Sequence, residues 1–277
     1  MLEYDTVLFD LYGTLADIHT DENMSRLRSG FSRFIRSNGA GYASAELKEA
    51  YFRLVREKEE MMAIEAGSSE RRLTVEAFSL EGGPAKKKAE DAHEAHPEIE
   101  LEDVFRALYE DQGVTEVTDE LIAQTAACFR KLSTTHLRLY AGAAGLLRSL
   151  RDAGKRVILL SNAQSLFTVP ELKALGIHDL FDRIYISSDH GCKKPDPSFF
   201  MLPVREFDLD PASCLLIGND PVCDVRGALN VGMDAYYIHS ALSPKPCPDP
   251  ASLGIDAEHF QDHMDLGLLG KQFGIRI

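Results

Sequence analysis

The sequence predicts an α/β fold, a doubly wound parallel sheet with an all-helical domain inserted after its first strand. Three observations carry this. Five apolar runs of strand length recur: "TVLFDL", "RVILLSN", "RIYISS", "SCLLIGN" and "DAYYIHS". Helix-like stretches alternate with the last four, which implies parallel βαβ units. A long stretch with helical periodicity alone, from Asn23 to about His136, separates the first run from the rest.

Thr6–Leu11 reads as a strand buried on both faces. In the insert, Met24, Leu27, Phe31, Phe34 and Ile35 fall on one helical face, and Asn38-Gly39 stops that helix. Leu47, Tyr51, Leu54, Val55 and Met62 form a second stripe. Val104, Phe105, Leu108 and Tyr109 form a third, ending near Gly113, and Ile122, Ala126 and Phe129 a fourth. Between the second and third lies "GGPAKKKAEDAHEAH", Gly82–His96. It is polar, has no apolar face and reads as an exposed segment. His93 and His96 have helix-face spacing but no third ligand, and Lys86–Lys88 reads as a solvated face. After Tyr140, helices are expected at Gly142–Asp152, Thr168–Leu175, Ser198–Phe207 and Val222–Val231. The expected boundaries place the α/β core at 1–17 and 137–277 and the helical cap at 18–136. The tail from Ala241 is Pro-rich and carries no clear period.

Composition sets outer bounds. The 277 residues carry 44 acidic and 30 basic side chains, a formal charge of −14. A field of that sign repels nucleic acid and anionic membranes, so neither is an expected partner. The five cysteines are scattered without a CxxC pair, which suggests neither a disulfide framework nor a zinc site and fits a cytoplasmic setting. No charged leader precedes the first strand, and no apolar run reaches membrane-spanning length.

Ligands of doubly wound sheets bind beyond the carboxyl ends of the strands. There the sequence supplies Asp10, then Ser161-Asn162, then Lys193 and Lys194 in "CKKPDPSFF", then Asn219, Asp220 and Asp224 in "IGNDPVCD". Each has a local reading as well. Asp10 before Tyr-Gly opens a turn, Ser161 and Asn162 cap a helix, and Asp196-Pro197 starts one. Their joint order favours a site.

In that order the chain resembles the haloacid dehalogenase superfamily. The first motif is Asp10-Leu11-Tyr12-Gly13-Thr14, the second Ser161, the third Lys194-Pro195, and the fourth Asn219-Asp220 with Asp224. The resemblance implies a Rossmann-like core, with the helical insert where the family's cap belongs. It also implies roles. Asp10 attacks the substrate and forms a covalent ester. Ser161 and the Asn162 backbone amide hold the transferred group. Lys194 offsets the negative charge. Mg²⁺ is held by Asp10, the Tyr12 carbonyl and donors among Asn219, Asp220 and Asp224.

Two departures bear on function. Phosphatases of the family usually carry an aspartate where this chain has Tyr12, and a phenol with pKa of about 10 is a poor base near neutrality. Dehalogenases share the "YGTL" pattern, and halide leaves without a proton. The fourth motif points the other way, because its oxygen donors beside Asp10 would repel one another without a cation. Asn219, moreover, stands where a metal-binding aspartate is common. Asp17 and His19, in "LADIHTDE", are candidate substitutes for the missing acid, although a polar connector accounts for them too. The expectation is a Mg²⁺-dependent phosphatase acting on a small phosphorylated metabolite. The alternatives are a metal-independent 2-haloacid dehalogenase and a non-catalytic ligand- or protein-binding member.

Overall fold

The computed structural model describes residues 4–77 and 98–275, and over 63–77 the backbone only. Gly82–His96, with His93, His96 and Lys86–Lys88, lies outside the described residues. A six-stranded parallel sheet forms the core. Its strands are β1 (Thr6–Phe9), β4 (Arg156–Ser161), β5 (Arg183–Ile186), β6 (Cys214–Gly218), β7 (Asp234–Ile238) and β8 (Phe260–Gln261), in the order β5-β4-β1-β6-β7-β8. From β1 the chain builds outward through β4 to β5, then returns to build β6, β7 and β8 on the other side. The order therefore reverses at β1, and a crevice opens there at the strands' carboxyl ends.

Strand alternation divides the core between two faces. Val7, Phe9, Leu215 and Ile217 join one buried cluster with α5 (Ala143–Asp152) and the closing helix, Leu266–Gln272. Leu8, Leu216, Ile158 and Leu160 join the opposite cluster with α7 (Pro197–Phe207) and α8 (Gly227–Asn230). Both faces are covered, which is why these strands read as continuous apolar runs.

The insert contributes α1 (Ser25–Ser37), α2 (Ser44–Ala77), α3 (Leu101–Glu110) and α4 (Asp119–Ser133). Their stripes meet in a third cluster: Leu27, Phe31, Ile35, Leu47, Tyr51, Leu54, Val104, Phe105, Leu108, Tyr109, Ile122, Ala126 and Phe129 are buried, Met24 and Val55 pack against them half-buried, and Phe34 and Met62 lie outside the cluster. One member comes from the core. Phe167, on α6 (Ser165–Ala174), stacks on Phe129 with ring centroids 6.2 Å apart.

Three features differ from the sequence reading. The connections between core and insert are not helix and coil but an antiparallel pair, β2 (Ala16–Thr20) and β3 (Thr134–Leu139). The expected boundaries at 17/18 and 136/137 fall inside these two strands. The helix expected from Val222 begins as a π-type turn, Pro221–Arg226, before α8. The tail supplies a sixth strand and a closing helix.

Phe105 is fully buried, with ring contacts to Phe31, Tyr51, Phe129 and Phe167. Truncating it leaves a cavity that a ring cluster cannot easily collapse. Phe105→Ala should cost about 3–5 kcal/mol of unfolding free energy, read as a lowered denaturation midpoint.

Candidate active site

Register sets the site. Phe9 pairs with Leu159 on one side and Ile217 on the other. Asp10, the next residue, donates its amide to the Ile217 carbonyl at 3.0 Å. Its carboxylate therefore emerges at the mouth of the crevice between the ends of β4 and β6. Ser161 closes β4, and Asn219 follows the last residue of β6.

Lys194 ties these strand ends together. It is buried, and its Nζ donates to Asp10 Oδ1 at 2.8 Å and to Asp224 Oδ1 at 2.7 Å. Burial works against the ammonium, but Asp10 and Asp224 outweigh it, so Lys194 titrates above an ordinary lysine. Asp224 Oδ2 accepts the Asn219 amide at 3.0 Å and the Asp220 amide at 2.9 Å. Gly218 permits this approach, since a Cβ there would lie 2.3 Å from the Asp224 carboxyl carbon. Burial pushes the Asp224 carboxyl up, Lys194 pulls it down and Asp10 pushes it up again. One ammonium cannot offset two buried carboxylates.

Opposite Lys194, the Thr14 hydroxyl lies 3.2 Å from Asp10 Oδ2 and 3.4 Å from Asn219 Oδ1. The Asn219 Nδ2 donates to Ser243 Oγ at 3.3 Å. Gly13, at φ +92°, turns the chain beneath Asn219, and a Cβ at Gly13 would lie 2.4 Å from Asn219 Nδ2. Ser161 Oγ is buried and has no hydrogen-bond partner among the described residues.

The structure thus brings together Asp10, Lys194, Asp224 and Asn219, with Ser161 at the end of the strand beside β1. It engages Asp220 elsewhere. Asp220 Oδ1 accepts the Val222 and Cys223 amides, each at 2.8 Å, and so caps the π-type turn. The Asn162 side chain turns to the main chain of Lys194. Lys193 lies 3.6 Å from Glu98. The structure also joins Asp17 to Arg138 at 2.7 Å and to His136 at 3.2 Å within the β2–β3 ribbon. His19 is exposed on the same ribbon, 3.0 Å from Thr135 Oγ1. Neither reaches the Asp10 cluster in this arrangement.

Tyr12 answers the question of the missing acid in part. Its hydroxyl donates to Glu171 Oε2 and lies 3.1 Å from Thr168 Oγ1, both on α6. Arg130, from α4, donates to Glu171 Oε1 at 2.6 Å. Burial, then Glu171, pushes the phenol above its ordinary value. Its proton is committed to Glu171.

The donor set can be tested for a hard cation. Among the described residues no three His, Cys, Asp or Glu side chains converge as a metal cage. Both Asp224 oxygens are taken, and one Asp220 oxygen serves as a cap. Asp10 Oδ2 and Asn219 Oδ1 share the single Thr14 proton, so spare lone pairs remain at that point. An anionic and a neutral oxygen fit an ion that keeps part of its water, as Mg²⁺ does.

Sequence reasoning missed Thr14 as a bridging group, Ser243 behind Asn219, and the Glu171–Arg130 pair. Ser243 had a signal, because it follows the end of β7 as the other groups follow theirs. Glu171 and Arg130 had none, because their pairing joins the insert to the core across 41 residues of sequence.

Comparison with known proteins agrees with this architecture. A family model, haloacid dehalogenase-like hydrolase, matches residues 4–232. The chain is 28% identical over 142 residues to the glyceraldehyde 3-phosphate phosphatase of Methanothermobacter thermautotrophicus, and 32% identical over 145 residues to the phosphoserine phosphatase of Thermus thermophilus. These matches take in 51% and 52% of this chain and span 63% and 56% of the two relatives' own lengths. The 2-haloacid dehalogenase from Pseudomonas syringae pv. Tomato superposes with a TM-score of 0.55 at 18% identity, over 98% of both chains. The HAD phosphatase from Thermococcus onnurineus does so at 0.54 and 18% identity, over 98% of this chain and 99% of the other. At such identity the likeness is one of fold. With the family model spanning four of the six strands, the insert and all four strand-end motifs, the chain belongs to the haloacid dehalogenase-like hydrolases.

Proposed function

We propose that the protein is a phosphatase of small phosphorylated metabolites, working through an aspartyl phosphate on Asp10. The observation that carries this is the Asp10–Lys194–Asp224 cluster at the reversal of strand order. There a carboxylate is held by a buried ammonium on one oxygen, leaving the other turned toward Thr14 and Asn219. The relatives named as phosphatases support the same reading.

In this mechanism Asp10 Oδ2 attacks phosphorus, a P–O bond forms to the carboxylate, and the bond to the leaving oxygen breaks. The Ser161 hydroxyl, without a partner among the described residues, offers a donor to the phosphoryl oxygens. Lys194 stays protonated throughout and holds Asp10 Oδ1 in line. Water then cleaves the acyl phosphate and returns free Asp10. Mg²⁺, when bound, supplies shielding between the carboxylate and the phosphate. Asn219 Oδ1 and the Tyr12 carbonyl, beside the Asp10 carboxylate, would hold it. Asp224 acts on it only through Lys194, and Asp220 acts by capping.

One observation favours the dehalogenase alternative. The Tyr12 proton is engaged with Glu171, so a leaving group that needs no proton is better served. Within the phosphatase reading, the same fact selects substrates with good leaving groups.

Three outcomes test this. Asp10→Asn should lower turnover on the order of 10⁴-fold or more, while thermal unfolding stays cooperative because Asp224 still pairs with Lys194. Full turnover in that variant removes Asp10 as the nucleophile. Second, aryl and acyl phosphates should outpace alkyl phosphates by a wide margin in steady-state assays with Mg²⁺. Equal rates would mean that a general acid operates. Activity on 2-haloacids in chelator, with none on any phosphate, would select the dehalogenase. Third, Asp220→Ala should cost about 1 kcal/mol of stability through the lost cap yet leave the Mg²⁺ concentration for half-maximal activity nearly unchanged, whereas Asn219→Ala should raise it. A large Mg²⁺ effect in Asp220→Ala would restore Asp220 as a ligand.

A further inference from the structure

Asn162 begins the loop after β4, at the edge of the site. Its carboxamide faces not the crevice but the main chain of Lys194. Asn162 Oδ1 accepts the Lys194 amide at 2.8 Å, and Asn162 Nδ2 donates to the Lys194 carbonyl at 2.8 Å. Both polar ends of one side chain are thus spent on a single residue 32 positions away. This two-point pairing resembles one rung of a sheet ladder, and it fixes the orientation of the peptide as well as its distance.

The consequence lies at the other end of the lysine. A lysine stem has four rotatable bonds and about 2 kcal/mol of rotamer entropy. Lys194 nevertheless holds its Nζ at 2.8 Å and 2.7 Å from two different carboxylates. That geometry needs a fixed root. The loop carrying Lys194 follows a short helical turn, Ser187–His190, and is not itself a sheet strand. Asn162 supplies the fixed point. It follows Ser161, the last residue of β4; β4 pairs with β1, and Asp10 follows Phe9, the last residue of β1. The path from the nucleophile to the base of the lysine therefore runs through two paired strands and one carboxamide.

We propose that Asn162 is a positioning residue, acting through Lys194 rather than on the substrate, and that it sets the lysine for the Asp10 reaction. The proposal rests on the phosphatase reading for its kinetic consequence, but not for its structural one. An alanine at this position removes both contacts. A displacement of the order of 1 Å at Nζ is enough to cost roughly 10–100-fold in rate, while the hydroxyl of Ser161 and the backbone that meet the substrate are untouched.

The test uses the full chain, with p-nitrophenyl phosphate and Mg²⁺ as the probe. Asn162→Ala should lose roughly 10–100-fold in kcat with KM within about twofold. Hydrogen exchange at the Lys194 amide, followed by mass spectrometry, should be slow in the wild type and fast in the variant. A loss confined to KM, with Lys194 still protected, would overturn the proposal and make Asn162 a substrate contact. If the wild type hydrolyses no phosphomonoester, the phosphatase reading fails by itself, and the exchange comparison still decides the clamp. If Asn162→Ala shows no cooperative unfolding, the wild-type exchange decides. A Lys194 amide exchanging as fast as an unstructured peptide would sink the proposal, and strong protection supports it.

Discussion

A buried ammonium between two buried carboxylates is the constraint on which the rest of this structure turns. Lys194 alone in that position would carry a desolvation penalty of several kcal/mol, and so would each carboxylate. Together they are tolerable only because nearly every oxygen has a donor. Asp224 Oδ2 takes two backbone amides, and Asp10 Oδ2 faces the Thr14 hydroxyl. The cluster still holds one more negative charge than positive. That surplus lies on the side of Asp10 away from Lys194, where Thr14 and Asn219 converge. An electrophile or a cation arriving there meets a carboxylate that is oriented but not neutralised.

The helical insert docks on the element that follows the second motif. Gln164, which precedes α6, accepts the Leu101 amide at 2.8 Å and so satisfies the start of α3. Its Nε2 donates to the Ile99 carbonyl at 2.8 Å and to Glu98 at 3.0 Å. Phe167 enters the aromatic cluster of the insert, and Arg130 lies over its ring at 5.0 Å. Glu171 then receives Arg130. One helix face, three residues apart and then four, thus carries a hydrogen-bonding, an apolar and an ionic contact. Because α6 begins just past Ser161-Asn162, the insert docks beside the strand end that carries the proposed phosphoryl contacts.

Much of this was legible in the sequence, for physical reasons that also explain the gaps. Strands buried on both faces announce themselves as unbroken apolar runs, so β1, β4, β6 and β7 were readable, and β5, at the sheet edge, showed through its apolar "IYI". The ribbon strands were not. "ADIHT" and "TTHLRL" are largely polar and half exposed, and their pairing joins segments more than a hundred residues apart. β8 has two residues and no period at all. α6 starts earlier than expected because Phe167 faces the insert, outside the periodicity of the core. For the site, the rule that ligands meet strand ends gathered Asp10, Ser161, Lys194, Asn219 and Asp224 correctly in space. It could not foresee how they divide the work. Whether a carboxylate faces an ion, a lysine or a backbone amide depends on turns such as that of Asp220, and composition does not encode it.

Tyr12 shows how one substitution can change the kind of role a position plays. In the family's phosphatases an aspartate there moves protons. Here the side chain reaches past the site to Glu171, under Arg130, whose guanidinium lies 5.9 Å from the ring centroid. The residue two beyond Asp10 is part of the seat of the insert. An aspartate at this position would be too short to reach Glu171 and would add a third carboxylate near Asp10, so its own pKa would rise. The Arg130–Glu171 pair would also lose the ring that shields it, and a half-buried pair weakens as water enters. Acid catalysis and docking therefore compete for one position. With the tyrosine, the chain keeps a firm dock, and under the proposed mechanism the burden of departure falls on the leaving group.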